Sequence, residues 1–264
     1  MLYMRELEKC LEESGLGIDI SIKRQGDIVE QKIPGLIYAD NILLMANSRD
    51  ELQALLDICG EKAGDLELEF SNTKSGVVVF NDVGEDPMTL QGTQVMFVQK
   101  YKYLGVWLTS GRSYLEEQEK LLKEKAMKYS GLMKSKALWA YNRFEVKRMV
   151  WKGVMVPGLI FGNATLCINS AVTDYMETRQ RGVGRLALCA HGKTPNDGVM
   201  GDLAWSTFEA REASSKLTYD ERARKMDGKR WVRKVLGYVY MKNIDTRWRK
   251  RTRELYSKYL TGVQ

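Results

Sequence analysis

The apolar positions of this chain change period part-way along its length. Up to about residue 110 they come in short runs bounded by turn residues, and beyond that point they recur at helical spacing. Leu2, Leu7 and Leu11, set against Glu6, Glu8, Glu12 and Glu13, predict an amphipathic helix over residues 3–14 that Gly15 stops. Residues 16–23 and 27–30 alternate apolar and polar around Arg24-Gln25-Gly26, the pattern of a hairpin. A second hairpin is expected from Ile33-Pro34-Gly35-Leu36-Ile37-Tyr38 and Asn41-Ile42-Leu43-Leu44-Met45-Ala46, as two buried strands with Asp40 at the tip. Asn47 or Ser48 then caps a helix over 49–63, with Leu52, Leu55, Leu56 and Cys59 on one face. Residues 66–70 read as a half-buried strand, 71–76 as a turn and 77–80 as a fully buried strand. A meander follows, from residues 88–90, 94–98 and 101–108.

From Ser113 the period is helical. One long helix is predicted to Leu138, with Leu115, Leu122 and Met133 as its stripe and a break near Gly131. Further helices cover roughly 143–155, 171–190, 205–226 and 229–258, separated at Pro157-Gly158, Asn169-Ser170 and residues 191–202. The order predicts an α+β fold, an antiparallel sheet with helices on one face over residues 1–110, followed by an all-α domain over residues 111–264.

Composition narrows the function classes. No apolar run approaches the ~20 residues of a membrane span, so no membrane partner is expected. The first residues read as an acidic helix rather than a leader. Cys10, Cys59, Cys167 and Cys189 are scattered, without zinc or disulfide spacing, which points to a reducing intracellular setting, nuclear or cytoplasmic. His191 is the one histidine and no phosphate-cradling glycine loop occurs, so no small-molecule cofactor is expected. The formal charge of +7 hides an asymmetry. Residues 1–110 hold 10 Lys and Arg against 18 Asp and Glu, while residues 111–264 hold 31 against 16. Residues 220–264 alone carry 14 against 5, interleaved with Trp231, Tyr238, Tyr240, Trp248, Tyr256 and Tyr259. Such a basic, aromatic stretch suits a polyanion: cations release counterions from phosphates, and an exposed ring stacks on a base for ~1–3 kcal/mol. The same rings also fit the apolar stripe of the last helices. The densest cluster contains Arg247, Arg249, Lys250 and Arg251; Lys120, Lys123, Lys125, Lys128, Lys134 and Lys136 mark the first long helix.

Three segments in order carry a resemblance. Tyr38-Ala39-Asp40-Asn41, with its apolar flanks, resembles the palm hairpin of reverse transcriptases, in particular those of non-LTR (LINE-type) retrotransposons. Phe70-Ser71-Asn72-Thr73-Lys74-Ser75-Gly76-Val77-Val78-Val79-Phe80 is similar to the palm motif that follows, and Tyr101-Lys102-Tyr103-Leu104-Gly105-Val106 to the primer-grip hairpin. The resemblance implies a partial polymerase palm over 1–110 and a thumb with a helical extension over 111–264. It implies an RNA template and a DNA primer as partners and Mg²⁺ as cofactor. Polymerases of this kind run in-line phosphoryl transfer with two divalent ions. By the resemblance Asp40 binds metal, Lys74 neutralises the leaving pyrophosphate, and Tyr101, Lys102, Tyr103, Leu104 and Gly105 place the primer. Lys123 and the Arg247, Arg249, Lys250, Arg251 cluster would touch nucleic acid.

The sequence also departs from that family. Asn41 stands where the family has a second Asp, which removes one negative charge beside the metals. The family's first catalytic Asp, on an earlier strand, and its fingers lie upstream of anything matched here. The isolated chain is therefore expected not to polymerise; an upstream polymerase segment carrying the missing carboxylate would be needed for that. The alternative is a non-catalytic nucleic-acid-binding protein built on the same palm–thumb frame.

Overall fold

The computed structural model describes residues 2–24, 27–81, 87–111, 113–135 and 142–260. These residues fall into two compact units. The first comprises residues 1–103, 108–114 and 227–244; the second comprises 104–107, 115–226 and 245–264.

The first unit begins with α1 (Leu2–Glu13), whose Leu7 and Leu11 are buried. Gly15, at a φ of 66°, turns the chain away from it. Short antiparallel strands follow. β1 (Ile18–Asp19) pairs with β4 (Lys32–Ile33), and β2 (Ile22–Arg24) with β3 (Asp27–Val29). β5 (Gly35–Tyr38) pairs with β6 (Asn41–Leu44), with Tyr38 opposite Asn41. Ser48 caps α2 (Arg49–Asp65) by accepting the Glu51 N–H. Beyond it β7 (Met88–Leu90) pairs with β8 (Thr93–Val95), and β9 (Lys100–Tyr103) with β10 (Val106–Thr109). α9 (Trp231–Met241) also belongs to this unit. Its core gathers Leu7, Leu11, Leu55, Leu56, Cys59, Val77, Met88, Leu90 and Val95.

Several expectations change here. The mixed α+β composition holds, but the described strands form five separate two-stranded ribbons rather than one sheet. The β5–β6 strands are not buried: Leu36 and Tyr38 are 38% and 64% exposed. Residues 66–70 form no strand. Glu67 takes a left-handed φ of 55°, and the N–H groups of Glu67 and Leu68 close α2 on the carbonyls of Gly64 and Ala63. What remains of that edge is satisfied by one side chain. The Gln91 amide accepts from the Phe70 N–H and donates to the Leu68 carbonyl, at 2.9 Å each, as a strand partner would. Gln53 does the same for both backbone groups of Thr89 on β7. Residues 77–80 keep one parallel bridge, Val77 to Phe97, and Phe80 is 44% exposed. The sequence pattern shows apolar runs, but not whether a neighbouring strand arrives to pair with them.

In the second unit the described elements are helical. It contains α3 (Glu116–Leu132), α4 (Arg143–Val150), α5 (Val156–Leu159), α6 (Ser170–Leu188), α7 (Asn196–Leu203), α8 (Phe208–Lys225) and α10 (Arg247–Tyr259). α6 is the hub, packed by α3, α4, α7 and α8, and α10 packs on α8. The core holds Leu122, Ala126, Met133, Trp151, Leu159, Val183, Leu203, Trp205 and Phe208 among others. Leu138 and Lys136 lie outside the described residues.

Three boundaries differ from the sequence pattern. Pro157 does not separate helices: a π-turn over Trp151–Met155 joins α4 to α5, with the Val156 N–H reaching back to the Trp151 carbonyl. A widened turn accommodates the ring and the absent N–H that a regular helix would not. The stretch 191–202, expected as a connector, contains α7. It forms because Val199 and Leu203 reach α6 at Gly184, where a Cβ would lie 2.7 Å from Val199 Cγ1. The segment 229–258 is two helices, interrupted by Asn243 at a φ of 52° and restarted by Thr246, which accepts the Arg249 N–H.

Candidate nucleic-acid interface

The three motifs end up on turns, the first two within the first unit and the third with its tip, Leu104-Gly105, in the second. Ala39, at a φ of 53°, and Asp40 make the two-residue turn between β5 and β6, so the ladder fixes the backbone on either side of the carboxylate. Asp40 is exposed, and its Oδ1 accepts from Asn41 Nδ2 at 3.2 Å. Lys74 closes the 3₁₀ turn Asn72–Lys74, and its side chain is exposed. The second and third motifs meet. The Tyr101 hydroxyl donates to the Lys74 carbonyl, and Gly76 lies under the Tyr101 ring, where a Cβ would be 3.4 Å from Cδ2. Among the described residues no hydrogen bond or ion pair joins Asp40 to Lys74.

Further along β9, Lys102 is exposed and Tyr103 half-buried, with burial pushing its hydroxyl above the ordinary tyrosine range. Leu104 and Gly105 form the tip of the β9–β10 hairpin, and Leu104 is 44% exposed. Within the second unit Phe161 approaches Gly105, its Cε1 3.2 Å from where a Cβ would stand.

A magnesium ion takes carboxylate oxygens and usually keeps several waters. Asp40 offers one carboxylate. Among the described residues no three His, Cys, Asp or Glu side chains gather where a metal could sit.

The second unit divides its cations into two classes. Arg251 is committed inward. Its guanidinium pairs with Glu212 at 2.9 Å, Glu209 at 3.3 Å and Glu254 at 3.4 Å, tying α10 to α8. The hydrogen bonds it donates to Glu212 hold its pKa above the usual arginine value. Lys258 and Tyr259 also reach Glu209. Below this network Lys216 is fully buried. Its ammonium donates to the carbonyls of Asn163, at 2.8 Å, and Leu166, and lies 3.6 Å from Glu212. Burial pulls its pKa below the ordinary lysine value. Trp248 is part of the same frame, its indole N–H on the Ala164 carbonyl at 2.8 Å and its ring edge-on to Tyr219. Trp248, Tyr256 and Tyr259 therefore pack and hydrogen-bond within the unit instead of presenting open stacking faces. The apolar period of the last helix, at positions 248, 252, 255 and 259, carried that signal.

The second class faces solvent. On α3, Lys120, Lys123 and Lys128 are exposed, Lys120 and Lys128 on the side opposite the buried Leu122 and Ala126 and Lys123 on its flank, with Lys134 just beyond the helix. On α10, Arg247, Lys250 and Arg253 are exposed and Arg249 is half-buried. Lys250 and Arg253 both contact Asp245, at 3.2 and 2.9 Å. Asp245 was not picked out from the sequence, because a lone acid two residues before a basic cluster has no distinguishing pattern.

Among the described residues no helix is long and apolar enough to cross a membrane. A scan against protein-family models finds no match, and searches of curated proteins and of solved structures find none either.

Proposed function

We propose that this chain is a nucleic-acid-binding palm–thumb segment of the retrotransposon reverse-transcriptase kind, in which the helical unit grips the phosphate backbone. The observation that carries this reading is the sorting of cations in that unit. Glu209, Glu212 and Glu254 are drawn onto Arg251, with Lys216 buried beside Glu212, while Lys120, Lys123, Lys128, Lys134, Arg247, Lys250 and Arg253 are exposed, Lys250 and Arg253 against Asp245. In water these side chains gain most by displacing condensed counterions from a phosphate chain, so binding follows salt. Titrating a labelled RNA–DNA primer–template should give an affinity that falls steeply between ~50 and ~200 mM salt. Replacing Lys120, Lys123 and Lys128 together with Gln should weaken it and flatten the salt slope by ~2–3. Failure to bind at low salt would rule this reading out.

A second reading, catalytic RNA-directed DNA synthesis, is favoured by one observation, the placement of Asp40 on a hairpin turn with Lys74 on another turn of the same unit. Because Asp40 is the only carboxylate the described motifs offer, primer extension by this chain alone with Mg²⁺ should give no template-dependent product. Product that disappears in Asp40→Ala would assign the reaction to this chain.

A further inference from the structure

The outward face of α10 carries more than exposed charge. At helical spacing Lys250, Arg253 and Ser257 run along the side opposite the buried Thr252 and Leu255, so the two cations stand at the centre of the solvent face. Both are held by one carboxylate. Asp245, immediately before the capping Thr246, places Oδ2 at 3.2 Å from Lys250 Nζ and Oδ1 at 2.9 Å from Arg253 Nη2. The three side chains are 52–65% exposed, so the pairs sit in water rather than in a core. Partial burial works against the Asp245 anion, but Lys250 and Arg253 outweigh it and keep the carboxyl below its ordinary range.

A carboxylate spread across a lysine and an arginine occupies the place a phosphate oxygen pair takes when those residues bind a nucleic-acid backbone. Exposed ion pairs contribute little, so a polyanion that brings two phosphates can replace the carboxylate. Arg251 is different: it is shared by three glutamates and braced by the packing of α10 on α8.

We propose that the outward face of α10 is a nucleic-acid backbone contact in which Asp245 acts as an internal competitor, occupying Lys250 and Arg253 until a phosphate displaces it. The inference rests on the nucleic-acid reading above and adds to it a residue that sets affinity. Asp245 sets the threshold. Strong polyanions engage α10 and weak or single phosphates do not.

The test uses the full chain and a fluorescein-labelled 20-nucleotide oligouridylate, followed by anisotropy across salt. Asp245→Asn should bind roughly three- to tenfold tighter near 100 mM salt, the release of two exposed ion pairs. Its log affinity should fall more steeply with log salt, by about 1.4, as two more phosphates are engaged. Asp202→Asn, an exposed acid on α7, gives the effect of one lost charge placed elsewhere. In a Lys250→Gln, Arg253→Gln background the gain from Asp245→Asn should vanish. Equal gains from Asp245→Asn and Asp202→Asn, or a gain that survives loss of both cations, overturn the inference and leave the nucleic-acid reading standing. No binding by any variant at low salt overturns both.

Discussion

The two units satisfy their polar groups by different means, and the contrast says where each can carry function. In the first, ribbons of two short strands leave edges open, and side-chain amides fill some of them, as Gln91 does for residues 68 and 70 and Gln53 for Thr89. Its candidate residues, Asp40 and Lys74, are placed by backbone turns and lie in water. In the second, α6 collects helices around a large core, and charges enter that packing as a connected network. Its cations are therefore of two kinds, those that hold the helices together and those that face solvent. A turn fixes a side chain's origin cheaply, whereas a buried ion network fixes the relation between helices at a cost in desolvation.

The comparison is broken most severely by removing the centre of the helical core. Trp151 is fully buried, stacked on Trp205 with ring centroids 6.0 Å apart, and donates to Gln180. Trp151→Ala should cost about 4 kcal/mol in urea unfolding followed by far-UV circular dichroism. If the first unit keeps its own transition while the helical signal shifts, the units are energetically separate; one shared shift would show them coupled. Next in size is Arg251→Ala, expected to cost about 2 kcal/mol because Glu209 and Glu212 lose their shared partner while keeping Lys258 and Lys216. Arg251→Lys should restore only part, since one ammonium cannot serve the three carboxylates as a guanidinium does. In the first unit, Gln91→Ala should cost only about 1 kcal/mol, because the freed groups of residues 68 and 70 are open to water.

The smallest effect is on pH dependence. The Lys258 hydrogen bond, opposed by some burial, holds Glu209 below its ordinary value of 4.5. The unfolded chain then binds more protons than the folded one between the lowered value and 4.5, so stability is present above 4.5 and is lost as pH falls through the lowered value. Glu177 works in the opposite sense. Burial raises its pKa, so its contribution is greatest below 4.5 and declines as pH rises through the raised value. Glu209→Gln should flatten the acid limb of a stability–pH curve, and an unchanged limb would show that the Glu209–Lys258 pair contributes nothing.

The parts of the fold that were legible were those set by local chemistry. Ser48 capping α2, Gly15 ending α1, the β5–β6 turn and the stripe of α3 all follow from residue type and spacing. The nucleic-acid candidates were legible as a density of charge, and that density did not separate Arg251, which holds α10 to α8, from Lys250, which faces solvent. The two are neighbours in sequence and about 100° apart around the helix, so only the position of α8 decides their roles. α7 escaped notice for a related reason: its helix depends on Val199 and Leu203 finding Gly184 on α6.

The sequence by itself determined the α+β composition, the locally capped helix ends such as Ser48 and Gly15, the order of the three motifs and the change from an acidic to a basic half. These depend on interactions within a few residues, which composition and period encode directly. Tertiary structure decided whether an apolar run found a strand to pair with, which helices met, and which cations were neutralised by acids distant in sequence, Glu209 and Glu212 on Arg251 above all. Those outcomes depend on where a second segment arrives, and a linear pattern carries no coordinate for that.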